Sequence, residues 1–279
     1  MTIWQRIIET KRQEVRASQS QLPINELKSA AADAPPPLDF LHAVLPEGGT
    51  GIRLIAEIKK ASPSAGLIVA DFDPVRIARA YHTHGASALS VLTDAAYFLG
   101  ALEHLALVKA DVPLPVLRKD FLIDEYQVYE SRVAGADAIL LIVEAIGASR
   151  AAEWTALAHE LKMAALVEVH SAEHLRAVLE GMGSPSSGRY LLGINNRDLT
   201  VQRTDLKAMR RLSELLPPHA RFVAESGIAT RADVEEALSC GAGAILVGEA
   251  ILKSPDMGGK INELLGRSRG AAPTGRRNT

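Results

Sequence analysis

The sequence predicts an α/β protein with the (β/α)8 architecture of a TIM barrel, carrying a helical extension at its N-terminus. Three observations lead there. Eight short runs of aliphatic and β-branched residues alternate with segments of helical periodicity, a pattern that calls for parallel strands joined by crossover helices. One junction recurs three times, as His84-Gly-Ala-Ser-Ala-Leu89, Ala134-Gly-Ala-Asp-Ala-Ile139 and Cys240-Gly-Ala-Gly-Ala-Ile245. In each, glycine supplies the left-handed turn that ends a helix and a strand begins at once. Eight copies of one βα unit close into a barrel, and no G-x-G-x-x-G follows the first strand to favour an open dinucleotide-binding sheet.

Residues 2–18 have helical periodicity, with Ile3, Ile7, Ile8 and Val15 on one side. Pro35-Pro-Pro37 interrupts the chain, residues 38–45 offer a second short helix, and Gly48-Gly-Thr-Gly51 marks the entry to the main domain. This divides a helical extension packed on the barrel (1–47) from the barrel itself (48–266). Strands are expected at 54–58, 88–92, 114–117, 138–143, 164–169, 190–194, 221–224 and 244–247. Helices are expected between them at 74–84, 125–134, 149–161, 172–180, 205–215 and 231–239. The remaining 267–279 is polar, basic and Gly/Pro-containing, and is expected to be disordered.

Composition narrows the function. With 47% hydrophobic and 23% charged residues, the 279-residue chain has ordinary soluble composition and ample core. A formal net charge of −2 gives no field favouring nucleic acid or acidic membranes, and 4% aromatics argues against base stacking. The single cysteine, Cys240, excludes an internal disulfide and a thiolate metal cluster, and reads as a small buried residue at a helix end. The N-terminus lacks a signal-peptide core, and the longest apolar run, 138–143, is too short to span a bilayer, so a cytoplasmic protein is expected.

The chemistry lies where the strands end. Leu114-Pro-Val-Leu-Arg-Lys-Asp-Phe121 turns from a buried strand straight into charge. Other strands end alike, giving Glu57 and Lys59, Lys119, Glu168, Asn195 with Arg197, and Glu225-Ser226. In such a barrel these ends form the active site, so two lysines and three glutamates converge. Any one of them alone could be a structural ion pair. Glu225-Ser-Gly-Ile228 and Leu246-Val-Gly-Glu249 follow the last two strands, where backbone N–H groups at glycines commonly hold phosphate. The basic, glycine-punctuated 59–66 loop suits equally a plain connection or a lid carrying Lys59 over an anionic ligand. His82, His84, His159, His170 and His174 match no zinc spacing, and there is no G-x-S-x-G elbow.

Five segments together resemble the motifs of indole-3-glycerol phosphate synthase, in family order from about residue 1 to 265. They are Ile55-Ala-Glu-Ile-Lys-Lys-Ala-Ser-Pro-Ser64, Val116-Leu-Arg-Lys-Asp-Phe121, Leu166-Val-Glu-Val-His170, Gly193-Ile-Asn-Asn-Arg-Asp-Leu199 and Ala224-Glu-Ser-Gly-Ile228. The resemblance implies ring closure of 1-(2-carboxyphenylamino)-1-deoxyribulose 5-phosphate, with loss of carbon dioxide and water, in tryptophan biosynthesis. It implies no cofactor and no metal. The partner is that phosphorylated anthranilate-derived small molecule, with neither nucleic acid nor membrane; the oligomeric state stays open, leaning to a monomer.

Carried over by motif, Lys119 resembles the general acid for closure with Glu168 beside it, and Glu57 and Lys59 the pair that helps closure and dehydration. Asn195, Arg197, Glu225 and Ser226 resemble substrate-positioning residues. Ser226, Gly227, Gly248 and Glu249, with Lys59 approaching, resemble the phosphate cradle. Phe98, Phe121 and Leu199 resemble the apolar wall for the aromatic ring. The chain departs from the pattern at Leu99 and Ala101, which stand where relatives commonly carry a polar residue and a serine, and at Ala65, which replaces a common lysine. A phosphoribosylanthranilate isomerase-like barrel would be expected to use a Cys/Asp pair in place of Lys119 and Glu168. A non-catalytic phosphometabolite-binding barrel would have no use for the lysines and glutamates.

Overall fold

The computed structural model describes residues 2–45, 48, 51–197 and 205–267. Eight parallel strands close on themselves: β1 (Arg53–Ile58), β2 (Ala88–Leu92), β3 (Val116–Lys119), β4 (Ala138–Ile142), β5 (Ala164–Val169), β6 (Leu191–Asn195), β7 (Phe222–Glu225) and β8 (Ala242–Val247). Closure is made by β1, which pairs with β8 on one side and β2 on the other, with Ile55 opposite both Leu246 and Ala88. The expected strands all form, within about two residues at their ends. The third starts at Val116 rather than 114 and runs on through Lys119, so that lysine stands on the strand itself.

Strand periodicity sorts the side chains into two cores. One face, with Leu54, Ala56, Leu89, Ile139, Val167 and Phe222, packs against the surrounding helices. The other face fills the barrel, with Ile55, Leu117, Leu140, Leu166, Leu191, Val223 and Leu246. Most barrel helices start at a side-chain cap, among them Asp73, Asp124, Ser171, Asp205 and Thr230. Helices at Ile24–Asp33, Leu102–Asp111, Glu249–Leu252 and Met257–Leu264 were not expected from the sequence. Cys240 follows the helix Arg231–Ser239 at its C-cap, half-buried rather than buried.

The extension grips the barrel at both ends. Its helices are α1 (Ile3–Gln21), α2 (Ile24–Asp33) and α3 (Phe40–Val44). Phe40 and Val44 join the core inside the barrel, and the Leu38 N–H donates to Asp137, just before β4, at 2.7 Å. That fixes α3 at the amino ends of the strands. At the carboxyl ends, α1 sets the buried Lys11 ammonium on Asp120 (2.9 Å), Asp94 (3.0 Å) and Glu14 (2.6 Å). Asp120 also accepts from Arg118 at 3.1 Å and from Thr93 at 2.6 Å. Burial pushes the Asp120 carboxyl upward, but Arg118 and Lys11 prevail and hold it down at about 2. The domain boundary near residue 47 and the basic tail beyond Arg267 lie outside the described residues.

Leu99 takes a left-handed conformation with φ of 53°, and Gly100 lies so close to the Leu92 carbonyl that an added Cβ would stand 2.4 Å from it. The helix that follows starts at Ala101 with no side-chain cap. A serine at 101, which the resemblance implies, would offer an N-cap that Ala101 cannot.

Lys11→Met leaves the buried Asp94 without its cation and Asp120 with Arg118 alone, and should lower unfolding stability in urea by about 3–5 kcal/mol. Asp120 is depressed when folded, so its contribution is present above about pH 4 and lost as pH falls toward 2. Acid unfolding of Lys11→Met should accordingly begin at higher pH than in the parent. Ala101→Ser should raise stability by about 0.5–2 kcal/mol, read by thermal unfolding, by supplying the cap.

Candidate active site

Counting two residues on from the inward-facing Ile55, Leu117, Leu166 and Val223 reaches Glu57, Lys119, Glu168 and Glu225. These lie on β1, β3, β5 and β7, so one level of the barrel interior, supplied by alternate strands, is ionisable instead of apolar. All four line one cavity at the carboxyl ends of the strands, together with Lys59, Asn195, Arg197 and Ser226.

Lys119 lies between two buried carboxylates, donating to Glu168 at 2.8 Å and to Glu225 at 3.1 Å. Burial would strip its proton, but Glu168, Glu225 and Glu57 together raise its basicity well above that of a free lysine. Two anions sharing one ammonium cannot both be ionised at low cost. Burial opposes the charge on each, and the two are pushed apart. Glu168, facing Lys119 and His170, is held well below the usual range; Glu225 is raised by burial and by the Glu168 charge. Space for Glu225 comes from Gly193, where an added Cβ would lie 2.3 Å from its carboxylate oxygen. Asn195 donates to the other oxygen of Glu168 at 3.0 Å and accepts from the Arg197 N–H at 3.0 Å.

Glu57 forms an ion pair with Lys59, two residues on. Glu57 packs against Gly248, where a Cβ would stand 2.7 Å from its carboxylate. That glycine is therefore needed by Glu57, a requirement the motif alone did not reveal. The 59–66 segment is an ordered ribbon, Ala61–Ser62 antiparallel to Gly66–Leu67, and not an open loop. Arg197 ties it across the cavity by donating to the Ser64 hydroxyl at 2.7 Å.

Ser226 and Gly227 are both left-handed, with φ of 63° and 81°. Such a conformation at a non-glycine stores about 1–2 kcal/mol and persists where the surrounding structure holds it. Asn196 holds the turn, donating to the carbonyls of Glu225 and Ser226 at 3.1 Å each. The sequence reading passed over Asn196, whose only signal is its place in the Asn195-Asn196 doublet. Glu249 also lines the cavity, its carboxylate paired with Lys253 at 2.7 Å.

The apolar wall contains Phe98 and Phe121, with ring centroids 6.0 Å apart. Trp4 of α1 packs edge-on against Phe121 at 5.8 Å, and Ile7 lines the cavity beside it. Trp4 was missed; its signal was an i, i+3 spacing to Ile7 on the apolar stripe of α1. Leu199 lies outside the described residues. Among the described residues, no group of three or more His, Cys, Asp or Glu is arranged to hold a metal ion, and no helix is long and apolar enough to cross a membrane.

The fold resembles that of 3-hexulose-6-phosphate synthase from Salmonella typhimurium, with a TM-score of 0.60 at 13% identity over 77% of this chain and 97% of that one. N-acetylmannosamine-6-phosphate 2-epimerase from Clostridium perfringens is similar at a TM-score of 0.54 and 16% identity, over 76% of this chain and 90% of that one. At such identities the likeness speaks for the fold alone. In sequence, the chain is 46% identical to indole-3-glycerol phosphate synthase of Roseiflexus sp., over 96% of this chain and 99% of the relative. It is 44% identical to that of Rhodospirillum rubrum, over 95% and 99%. The family model for indole-3-glycerol phosphate synthase matches residues 4–264, nearly all of the extension and barrel. The chain belongs to the indole-3-glycerol phosphate synthase family, the carboxy-lyases of tryptophan biosynthesis.

Proposed function

We propose that the strand-end cluster performs the family's ring closure with Lys119 as proton donor, acting on 1-(2-carboxyphenylamino)-1-deoxyribulose 5-phosphate. The observation that carries this reading is the Lys119 ammonium held between Glu168 and Glu225 at the base of a cavity with an aromatic wall. The ring carbon bearing the carboxylate attacks the ketone carbon. The carbonyl electron pair moves to oxygen, which takes a proton from Lys119. The bond to the carboxylate then breaks, its electrons restore the aromatic ring, and carbon dioxide leaves. Lys119 recovers its proton from Glu225, the carboxyl that burial and its anionic neighbour keep protonated to higher pH.

In the final step the new hydroxyl leaves as water. Lys59 protonates it while Glu57 removes the proton from the carbon beside nitrogen; their ion pair supports one acid and one base working together. Asn195 and Arg197 orient the substrate, and Phe98, Phe121 and Trp4 receive its ring. The phosphate is assigned to the backbone N–H groups of Ser226-Gly227 and Gly248-Glu249, with Lys59 approaching; the strained Ser226-Gly227 turn supports this.

Removing a positioned general acid costs ~10²–10⁴-fold in rate, so Lys119→Met should lower kcat by about that much with KM nearly unchanged. Lys59→Met should lower kcat and also raise KM. If the main defect of Lys119→Met is in KM, Lys119 is a binding cation and Lys59 the better acid. The two glycines separate differently. Gly227→Ala strains a phosphate turn and should weaken a phosphate-bearing product analogue. Gly248→Ala also displaces Glu57, and should lower kcat by up to about 10²-fold as well. An unchanged kcat in Gly248→Ala would refute the second role.

A further inference from the structure

His170 is a half-buried histidine, its side chain 8% exposed, one residue beyond the end of β5, that the mechanism above does not use. Its backbone N–H donates to Glu144 Oε1 at 2.9 Å, and its ring Nδ1 pairs with Glu144 Oε2 at 2.9 Å. Both oxygens of one carboxylate thus hold one residue, and the ring orientation is fixed. Fixed in this way, Nε2 points the other way, into the cluster, and stands 3.2 Å from Glu168 Oε1. Nε2 has no aligned hydrogen bond there, so the contact acts through charge.

The groups facing this imidazole come from three elements. Glu144 lies in the first turn of the helix Val143–Glu160, Glu168 on β5, and His174 in the helix Ala172–Met182, its Nδ1 2.8 Å from Glu144 Oε1. Beyond Glu168 stand Lys119 of β3, Asn195 of β6 and Glu225 of β7. Two carboxylates flank the ring, and burial, which favours the neutral imidazole, is outweighed by Glu144 and Glu168, so its affinity for a proton is raised to about 10. It is a cation at neutral pH.

A second cation behind Glu168 has a definite use. When Lys119 passes its proton to the substrate, Glu168 loses the charge that balanced it. With no other cation near, Glu168 would take up a proton as Lys119 gave one away. We propose that His170, anchored by Glu144, is a positioning residue that keeps Glu168 ionised while Lys119 is deprotonated, so that the proton returns to Lys119 and not to Glu168. The inference rests on the assignment of Lys119 as proton donor.

The test is the pH dependence of kcat/KM. His170→Gln keeps a polar side chain but removes the charge, so the carboxylate of Glu168 should protonate more readily. The acid limb should move up by about one unit or more, with kcat recovering toward the parent value at higher pH. Glu144→Gln, which frees the ring without touching the cavity, should shift the limb in the same direction by less. A uniform loss of kcat at all pH values in His170→Gln, or an unmoved limb in Glu144→Gln, would overturn the proposal. Glu168→Gln separates the two levels of the argument. If the residual activity of Glu168→Gln keeps the parent acid limb, that limb belongs to another group and the Lys119–Glu168 assignment itself fails. If the limb disappears in Glu168→Gln but stays in place in His170→Gln, only the role of His170 fails.

Discussion

One level of the barrel interior is built from Glu57, Lys119, Glu168 and Glu225, one side chain from each odd-numbered strand, and the surrounding structure answers to that choice. Burying an ion costs several kcal/mol even after relaxation, and the loss is offset only where partners are close and well aimed. Three carboxylates and one ammonium cannot balance by themselves. Lys59 approaches Glu57, Asn195 and His170 approach Glu168, and Lys119 is left to serve Glu168 and Glu225 together. The glycines obey the same constraint. Gly193 gives way to Glu225 and Gly248 to Glu57, each on a neighbouring strand or just past its end, and a methyl group at either would collide with a carboxylate.

The end of β3 shows how a single strand serves two surfaces. Lys119 points into the barrel, while Arg118 and Asp120 point out toward the helices. Arg118 reaches Glu130 at 2.8 Å, and Asp120 receives Lys11 from the extension. The neighbours on either side of Lys119 are thus locked in ion pairs of their own. Lys119 is held from both flanks, which gives a flexible side chain a firm backbone origin.

Much of this was legible in the sequence, because strand periodicity and strand order are local signals that survive folding. Ile55 and Glu57, Leu117 and Lys119, and Leu166 and Glu168 share a face by counting alone. What stayed hidden depended on contacts between distant segments. Lys11 sits in the apolar stripe of α1, where a lysine ordinarily extends its stem and keeps its head in water; only Asp94 and Asp120, placed beneath it by the fold, make it a buried cation. Helix Leu102–Asp111 has no cap residue and apolar side chains on several sides, so neither end nor face announced it. The ribbon at Ala61–Ser62 and Gly66–Leu67 is too short to show a period. His170 looked isolated because its partners, Glu144 and Glu168, belong to different βα units or lie on the far side of a valine.

The double grip of the extension bears on how the chain acquires its shape during synthesis. Helix α1 is made before the barrel, yet Lys11 has only Glu14 of its own helix as partner until Asp94 and Asp120 have followed, and α3 cannot seat until Asp137 and the inner face of β4 exist. Until then α1 carries Trp4 and Ile7 uncovered, an amphipathic helix whose stability comes mostly from packing its apolar face. Because such long-range closures form slowly, residues made before the barrel are among the latest to settle. The aromatic wall therefore lacks its Trp4 side until at least half the barrel has been assembled, so a chain interrupted before then would have a growing sheet but no finished cavity.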